Sequence, residues 1–334
     1  MVIFSIFRMN PEKDKGPYYK DYELNVPEGA TVLDCLNLIK WTQDGTLSYR
    51  MSCRSAICGS CAVKVNGHPK LACKTQAVDE IINGEIRIEP IGNAKVLKDL
   101  VVDLDPFWQK IEDVKPWLIV DKSLKPPTPP LQKGGKGGFE EQRQSPEEFH
   151  RIDAASTCIM CASCCSDCNS WEANEKFLGP AALAKAQRFV DDSRDKGKLE
   201  RIIDLSKENG MWDCTHCGEC WERCPTETKP LDRIITLRTT ALEMGITGNN
   251  GARHVNGFVE SIKKSGILNE NILPIKSIGI FNIPGLLSLI PVGIRMFLKG
   301  KNPPLIHKHI DEMDDVKRIF KRFKKPEYRI QKPE

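Results

Sequence analysis

Cysteine stands out in this sequence, both by its number and by its spacing. The 334 residues include fourteen cysteines, and twelve of these stand in three tight groups. A secreted disulfide protein would be shorter and would begin with a signal peptide, whereas residues 1–15 carry only a short apolar run that suits a first β-strand. The grouping therefore indicates metal binding rather than disulfide bonds.

The first group has the spacing C-x4-C-x2-C-x11-C and consists of Cys53, Cys58, Cys61 and Cys73. This is the plant-type spacing for a [2Fe–2S] cluster. Small residues between the cysteines would let the loop aim backbone N–H groups at the inorganic sulfurs. With the nearby Arg54, these donors would raise the reduction potential of the cluster. Zinc is the alternative occupant, but zinc favours paired C-x2-C knuckles.

Two further groups share the spacing C-x2-C-x2-C-x3-C, and the second of them is followed by proline. In this two-cluster pattern the fourth cysteine of each run ligates the cluster of the other run. The predicted ligand sets are Cys158, Cys161, Cys164 and Cys224 for one [4Fe–4S] cluster, and Cys168, Cys214, Cys217 and Cys220 for the other.

Two cysteines lie outside these groups. Cys35 falls within the first predicted helix, and we interpret it as a small buried apolar residue. Cys165 adjoins the predicted ligand Cys164 and could exchange with it.

The elements that must position the first group are predicted to be strands and one helix. Apolar or alternating runs predict strands at 2–7, 22–26, 62–65 and 85–88, with a tight hairpin at Asn66-Gly67. Thr31 with Asp34 predicts a helix start. One helix over a small mixed sheet is a compact α+β module.

After residue 105 the chain changes character. A loop or linker is predicted at 122–147, where four prolines precede four glycines. Helices are predicted to begin at Pro180, running to about residue 195, and at Pro230, stopping near Gly245. The predicted domains are residues 1–105, 106–245 and 246–334.

Charge and motifs exclude several functions. The net charge is +4, but residues 299–334 hold 11 Lys/Arg and 6 Asp/Glu, so the remainder is close to neutral and nucleic acid is not expected as a partner. The basic tail suits an anionic membrane, an acidic subunit or plain solvent. The sequence contains no Gly-rich dinucleotide fingerprint and no P-loop, and it offers no acid–base or nucleophilic constellation, so no catalytic residue is predicted.

The order of the motifs resembles the iron–sulfur subunit of succinate dehydrogenase and fumarate reductase. The stretches that carry the resemblance are SCRSAICGSCAVKVNG, LAC ending at Cys73, KDLVVDLDPFW, KPWLI, CIMCASCC and FLGPAAL. The resemblance covers roughly residues 1–245. It implies a β-grasp plant-type [2Fe–2S] ferredoxin domain and then an all-α bacterial-type dicluster ferredoxin domain with a helical extension. It also implies a partner with covalent FAD and the dicarboxylate site, and a membrane subunit that handles quinone near the third cluster.

Four positions depart from the pattern of that family. Many members hold [3Fe–4S] as the third cluster because the position of Cys217 is not a cysteine; here Cys217 completes four ligands and predicts [4Fe–4S], with a free thiol beside [3Fe–4S] as the alternative. Asn169 replaces a proline, and Ala56 replaces a glycine. The family's quinone pocket usually includes a Trp shortly after the position of Cys168 and a His directly after the position of Cys214. Here Thr215 takes the His position, and the nearest Trp and His, Trp171 and His216, are each out of register.

The last ninety residues also depart from that family, and one short stretch of them resembles another group. The segment 253–270 resembles the tail of heterodisulfide-reductase-type dicluster subunits, whose partners carry cysteine-rich CCG domains. With Cys217, this suggests a CCG-type membrane-associated partner. The apolar stretch 279–298 contains two prolines and predicts short helices that dock on a partner or lie in the membrane interface, a role that also suits the basic segment 317–325.

The sequence therefore predicts an electron-transfer subunit, peripheral on the cytoplasmic side of the cell membrane because no signal peptide is seen. A thiol-dependent or other flavin-linked fumarate reductase is the first alternative. A non-catalytic cluster protein is the second.

Overall fold

The computed structural model of the protein describes residues 1–120, 143–301, 303–304 and 308–323. The chain divides into two compact units, Met1–Thr240 and Ala241–Glu334. The predicted boundaries near residues 105 and 245 stay predictions, because a division into two units does not test a scheme of three domains. The predicted loop 122–147 lies mostly outside the described residues, and its last two residues already belong to a helix.

The first unit begins with a mixed β-sheet. The strands of the described residues are β1 (Val2–Arg8), β2 (Tyr18–Leu24), β3 (Ala62–Val65), β4 (His68–Leu71), β5 (Glu85–Glu89), β6 (Val96–Lys98) and β7 (Val101–Val102). Five of them form one sheet in the order β2-β1-β5-β3-β4, and β6 and β7 form a separate antiparallel pair. Within the large sheet β1 and β5 are parallel and the other neighbours are antiparallel.

Helix α1 (Val32–Thr42) supplies the apolar face that covers this sheet. Its start is fixed by a capping box, in which the Thr31 hydroxyl accepts a hydrogen bond from Asp34 N and the Asp34 carboxylate accepts one from Thr31 N. The predicted helix start, the Asn66-Gly67 hairpin and the strands at 2–7, 62–65 and 85–88 are confirmed.

The second strand begins earlier than the sequence predicts. The prediction is 22–26, whereas β2 occupies Tyr18–Leu24. The reason is pairing, because β2 follows the whole length of β1, from Val2 opposite Leu24 to Arg8 opposite Tyr18. Its first residues are exposed at the edge of the sheet, so their sequence carries no apolar alternation.

The remainder of the described chain is helical. The helices are α2 (Asp105–Asp113), α3 (Pro146–Ser156), α4 (Ser163–Ser166), α5 (Asn169–Ala173), α6 (Gly179–Val190), α7 (Lys198–Leu205), α8 (Glu219–Glu222), α9 (Pro230–Glu243), α10 (Asn250–Ser265), α11 (Ile272–Ile278), α12 (Ile283–Leu287), α13 (Ile290–Leu298) and α14 (Met313–Phe323).

Helix α6 ends sooner than its sequence predicts. It was expected to reach residue 195 but stops at Val190. The buried Asp192 carboxylate accepts hydrogen bonds from Arg188 and from the side chain and backbone N of Arg194, which fixes a turn there. Burial opposes the charge, but the hydrogen bonds from Arg194 and Arg188 prevail and lower the pKa of Asp192 to about 2.

Two buried cations tie the segment after the sheet to the helices. Lys110 Nζ donates to the carbonyl oxygens of Glu175 and Phe177. Arg201 pairs with Asp195 at 2.9 Å and donates to three carbonyls of residues 114–117. These bonds connect α2 and the chain that follows it to α5–α7, so the sheet and the helices of this unit form one framework.

The second unit is a group of helices without cysteine. Helix α10 packs on α11 where Gly257 meets Leu273 and Lys276. The stretch 279–298 forms the short helices α12 and α13, each with proline in its first turn, as predicted. Within the described residues no helix is long and apolar enough to cross a membrane. The predicted basic segment 317–325 belongs to α14 as far as Phe323, and its last two residues lie outside the described ones.

Candidate iron–sulfur centres

The first cysteine group surrounds a loop whose backbone donates to the ligand sulfurs. Cys53, Cys58 and Cys61 lie between α1 and β3, and Cys73 follows β4. Cys53 Sγ accepts hydrogen bonds from the N–H groups of Ser55, Ile57 and Cys58 at 3.3–3.4 Å, and Cys73 Sγ accepts one from Ala56 N at 3.2 Å. Such bonds stabilise negative charge on sulfur, which a cluster gains on reduction.

The loop makes these bonds by adopting left-handed backbone at Arg54 and Ala56, with φ of 56° and 57°. The same feature recurs in the other two groups, at Met160, Ala162 and His216. Left-handed φ is costly for residues other than glycine and often marks functional sites. In each group it turns the chain so that cysteine side chains or N–H groups face inward.

The thiols of the first group differ in acidity. Hydrogen bonds from Ser60 and from the Cys53 backbone lower the pKa of Cys58 to about 6. Burial raises the pKa of Cys61 to about 12. Only the thiolate binds iron, so loading the buried ligands must displace protons.

The second and third groups lie around the short helices α4 and α8. Burial raises the pKa of the Cys158 thiol, and the charge of Cys224 adds to the rise. Burial likewise raises the pKa of Cys220, with contributions from Cys214 and Cys168. Cys224 therefore lies within electrostatic reach of Cys158, and Cys168 within electrostatic reach of Cys220.

The remaining predicted ligands take the following positions. Cys161 and Cys164 lie within electrostatic reach of Cys158, and burial raises the pKa of Cys161, with contributions from Cys158 and Cys224. Cys217 is exposed and lies within electrostatic reach of Cys214 and Cys220.

The first group makes direct contact with the second. Gly59 lies so close to Cys161 that an added Cβ would stand 2.6 Å from Cys161 Cβ. Lys74, next to Cys73, donates to the carbonyl oxygen of Pro225, next to Cys224, at 3.2 Å. The two sites are therefore held together through residues adjacent to their ligands.

Ionic and polar bonds fix this junction. Lys64 of β3 pairs with Asp167 at 2.8 Å, and Arg223 Nε lies 3.3 Å from the same carboxylate. Asp167 precedes Cys168 and Arg223 precedes Cys224, so one carboxylate links the sheet to both runs. The Asn93 amide also donates to the carbonyl oxygens of Cys165 and Cys168.

Sequence reasoning missed Arg238 beside the third group. This side chain of α9 donates to the carbonyl oxygens of Met211 and Cys214 and lies 2.7 Å from His216 Nε2. Burial, with the Arg238 charge, lowers the pKa of His216. The sequence did carry a signal that Arg238 has a specific role. Position 238 falls on the apolar face of α9 formed by Leu231, Ile234 and Leu242, where a charged side chain is unexpected.

The donor chemistry fits iron–sulfur clusters. Each group offers four cysteine sulfurs, with N–H or hydroxyl groups beside them, such as His216 N at 3.4 Å from Cys214 Sγ. Among the described residues no three His, Cys, Asp or Glu side chains close around a single metal ion. A cluster of several irons is larger than one ion, so its ligands stand farther apart.

Comparison with protein-family models gives two matches. Residues 3–109 match a 2Fe-2S iron-sulfur cluster binding domain, and residues 154–228 match a 4Fe-4S dicluster domain. The fumarate reductase iron–sulfur subunit of Mycobacterium tuberculosis is 40% identical over 240 residues, which cover 72% of this chain and 92% of that protein. The chain belongs to the iron–sulfur subunit family of succinate dehydrogenase and fumarate reductase.

Membership in this family gives the chain an electron-transfer role in an oxidoreductase complex. A second relative, the 8-methylmenaquinol:fumarate reductase iron–sulfur subunit of Wolinella succinogenes, is 36% identical over 308 residues, 90% of this chain and 91% of that protein. A match of this length must extend into the second unit. In fold, the chain is similar to a subunit of the Mycobacterium smegmatis Sdh1 complex, with a TM-score of 0.62 at 24% identity over 74% of this chain and 98% of that one.

Substitution Gly59→Ala should damage the junction between the first two sites. The new Cβ would overlap Cys161, and Gly59 also has a left-handed φ of +70°. We expect loss of iron from one site, or weaker magnetic coupling between the two reduced clusters in EPR spectra.

The matched control is Gly29→Ala, where φ is +71° but no atom lies within 4 Å of the added Cβ. It isolates the backbone cost, roughly 1–2 kcal/mol, and should leave iron content and coupling unchanged. If the two variants had the same iron content and the same magnetic coupling, the contact between Gly59 and Cys161 would not be needed to hold the two sites together.

Proposed function

We propose that this chain carries single electrons between a subunit that binds FAD and a dicarboxylate and an acceptor at the membrane. The observation that carries the proposal is the direct contact of Gly59 with Cys161, which joins two of the cysteine groups into a series. When bound, iron–sulfur clusters exchange electrons singly, whereas a flavin exchanges two as a hydride. The chain contributes the spacing of the sites and the hydrogen bonds to their sulfurs.

We also propose the identity of the sites and their order. From the flavin side to the membrane side, the ligand sets are Cys53, Cys58, Cys61 and Cys73 for [2Fe–2S]; Cys158, Cys161, Cys164 and Cys224 for [4Fe–4S]; and Cys168, Cys214, Cys217 and Cys220 for the third cluster. Support comes from the charge interactions of Cys224 with Cys158 and of Cys168 with Cys214. The sheet topology supports a β-grasp ferredoxin domain, and the paired runs support a bacterial-type dicluster domain.

Substitution Cys58→Ser tests the function directly. We expect the purified complex to lose the [2Fe–2S] EPR signal, while succinate still reduces the flavin and no longer reduces the other clusters. Cys35→Ala, which removes a fully buried cysteine of α1 outside the groups, serves as the control. Undiminished electron transfer in Cys58→Ser would refute the assignment.

The third cluster is proposed to be [4Fe–4S]. Cys217 is exposed on the loop between Cys214 and Cys220 and lies within electrostatic reach of both. Flanking left-handed residues, His216 and Gly218, let this loop turn back toward the site. A free thiol beside [3Fe–4S] is the alternative, and it predicts a different iron count.

Iron quantification with low-temperature EPR distinguishes the two nuclearities. With Cys217 as a ligand we expect about ten irons per chain, as 2Fe, 4Fe and 4Fe clusters, and no [3Fe–4S] signal in the oxidised complex. Cys217→Ser should then convert one cluster and create that signal. A strong [3Fe–4S] signal in the unmodified complex would contradict a fourth cysteine ligand.

The membrane-side partner is proposed to be a CCG-domain subunit that exchanges electrons with a quinone of the menaquinone class. Three features support it: Cys217, the 253–270 segment, and the match to the Wolinella 8-methylmenaquinol:fumarate reductase subunit that extends into the second unit. Thr215 and the displaced Trp171 and His216 disfavour the usual quinone pocket. A thiol-dependent fumarate reductase would use the same series of sites with a different terminal partner.

The second unit is proposed to hold the complex on the cytoplasmic face of the membrane. Helices α12 and α13 leave most of their apolar side chains exposed; Phe281, just before α12, is 91% exposed and Leu298 76%. Arg295, Lys299 and Lys301 stand among or directly after them. Apolar side chains with neighbouring cations are typical of helices that lie in the interface of an anionic bilayer.

The paired substitution Phe281→Ser and Phe297→Ser should weaken binding to vesicles rich in phosphatidylglycerol. Burying each phenylalanine contributes roughly 1.5–3 kcal/mol, so the partition constant from cosedimentation should fall by about a hundredfold or more. Leu199→Ser, which removes an exposed leucine of α7, is the control. Binding that is unaffected by the paired change would favour a protein partner on this surface instead.

A further inference from the structure

Cys165 is a buried thiol that the ligand assignment leaves without a role. It follows Cys164 in α4 and is 5% exposed. Its backbone is fixed at both ends, since Cys165 N donates to Ala162 O and Cys165 O accepts from Cys168 N and from the Asn93 amide. The backbone of Cys165 is therefore held both by Asn93, which follows the sheet strand β5, and by its helical neighbours.

The Cys165 sulfur lies 4.0 Å from the sulfur of Cys164. In the free chain either thiol could donate the hydrogen. Once Cys164 ligates iron it is a thiolate and can only accept, so the hydrogen bond must then run from Cys165 S–H to Cys164 Sγ.

The thiol is packed on one side by Gly179. The backbone at Gly179 closes one side, where an added Cβ would stand 3.7 Å from Cys165 Sγ and would overlap the Trp171 ring. Trp171 is itself buried, and its ring lies 3.7 Å from the Lys110 ammonium. Gly179 therefore packs against one side of the thiol.

We propose that the Cys165 thiol is a positioning group that donates a hydrogen bond to Cys164 and raises the reduction potential of the cluster held by Cys158, Cys161, Cys164 and Cys224. The proposal rests on the ligand set given above. A donor at a ligand sulfur stabilises the charge gained on reduction, which is how hydrogen bonds tune such clusters. This cluster stands between the other two, so its potential decides how easily electrons pass in either direction.

The test is an EPR-monitored redox titration of the assembled complex. Cys165→Ala should lower the midpoint potential of this one cluster while iron content stays the same. Cys165→Ser, which restores a hydroxyl donor, should recover part of the shift. Cys35→Ala removes the other cysteine outside the groups and should leave all three potentials unchanged.

Several results would overturn the proposal. An unchanged potential would mean that the contact carries no donor effect, and a raised potential would indicate a Cys165 thiolate. An equal shift of the third cluster would indicate a general change in packing. If Cys165→Ala fails to assemble, Cys165→Val fills the space of the thiol without a hydrogen-bond donor. It should also lower the midpoint potential of this cluster.

A failure of the ligand set itself would look different. If Cys165 rather than Cys164 binds iron, Cys165→Ala loses the cluster signal and its iron while Cys164→Ala keeps both. Loss of the signal in Cys164→Ala alone leaves the ligand set intact, and the measured potentials then decide the role of Cys165.

Discussion

Close approach between cysteine-bearing loops is the constraint on which the rest of the first unit depends. Electron tunnelling falls steeply with distance, so neighbouring sites must lie close together. Gly59 meets Cys161 with no space for a Cβ, and this contact needs both the missing side chain and a left-handed backbone. Three features hold the sheet and the helices of the first unit at that separation. They are the sheet itself, the segment bound by Lys110 and Arg201, and the ion pairs of Asp167.

The ligand loops are locally unfavourable, and the framework compensates for them. Left-handed φ costs free energy at each residue that adopts it. In the ligand loops these residues are Arg54, Ala56, Met160, Ala162 and His216. Buried thiols such as Cys61 must also lose protons before they bind iron. Hydrogen bonds to sulfur and the buried ion pairs offset part of this cost. Cluster binding and folding are therefore expected to be coupled, as in other metal-bound folds.

The two units divide the work of the chain. All fourteen cysteines lie in the first unit, whereas the second has none and leaves apolar side chains around α12 and α13 exposed. The match to the Wolinella relative extends into this second unit, whereas the Mycobacterium tuberculosis relative matches 240 residues. The second unit is therefore shared at least in part with the Wolinella relative, and the first unit carries all of the cysteines.

The three cysteine groups, the Thr31 capping box and the Asn66-Gly67 hairpin could be predicted from the amino-acid sequence, because each depends on residues close together in the chain. The sequence also indicated short helices at 279–298, since two prolines interrupt the apolar run. The end of α6 depends on the local turn at Asp192, which helical periodicity does not predict. The extent of β2 and the contacts of Arg238 and Gly59 could be found only in the folded chain. Those features depend on partners far away in sequence: β2 on the edge of β1, Arg238 on the Met211 and Cys214 carbonyls, and Gly59 on a cysteine a hundred residues later.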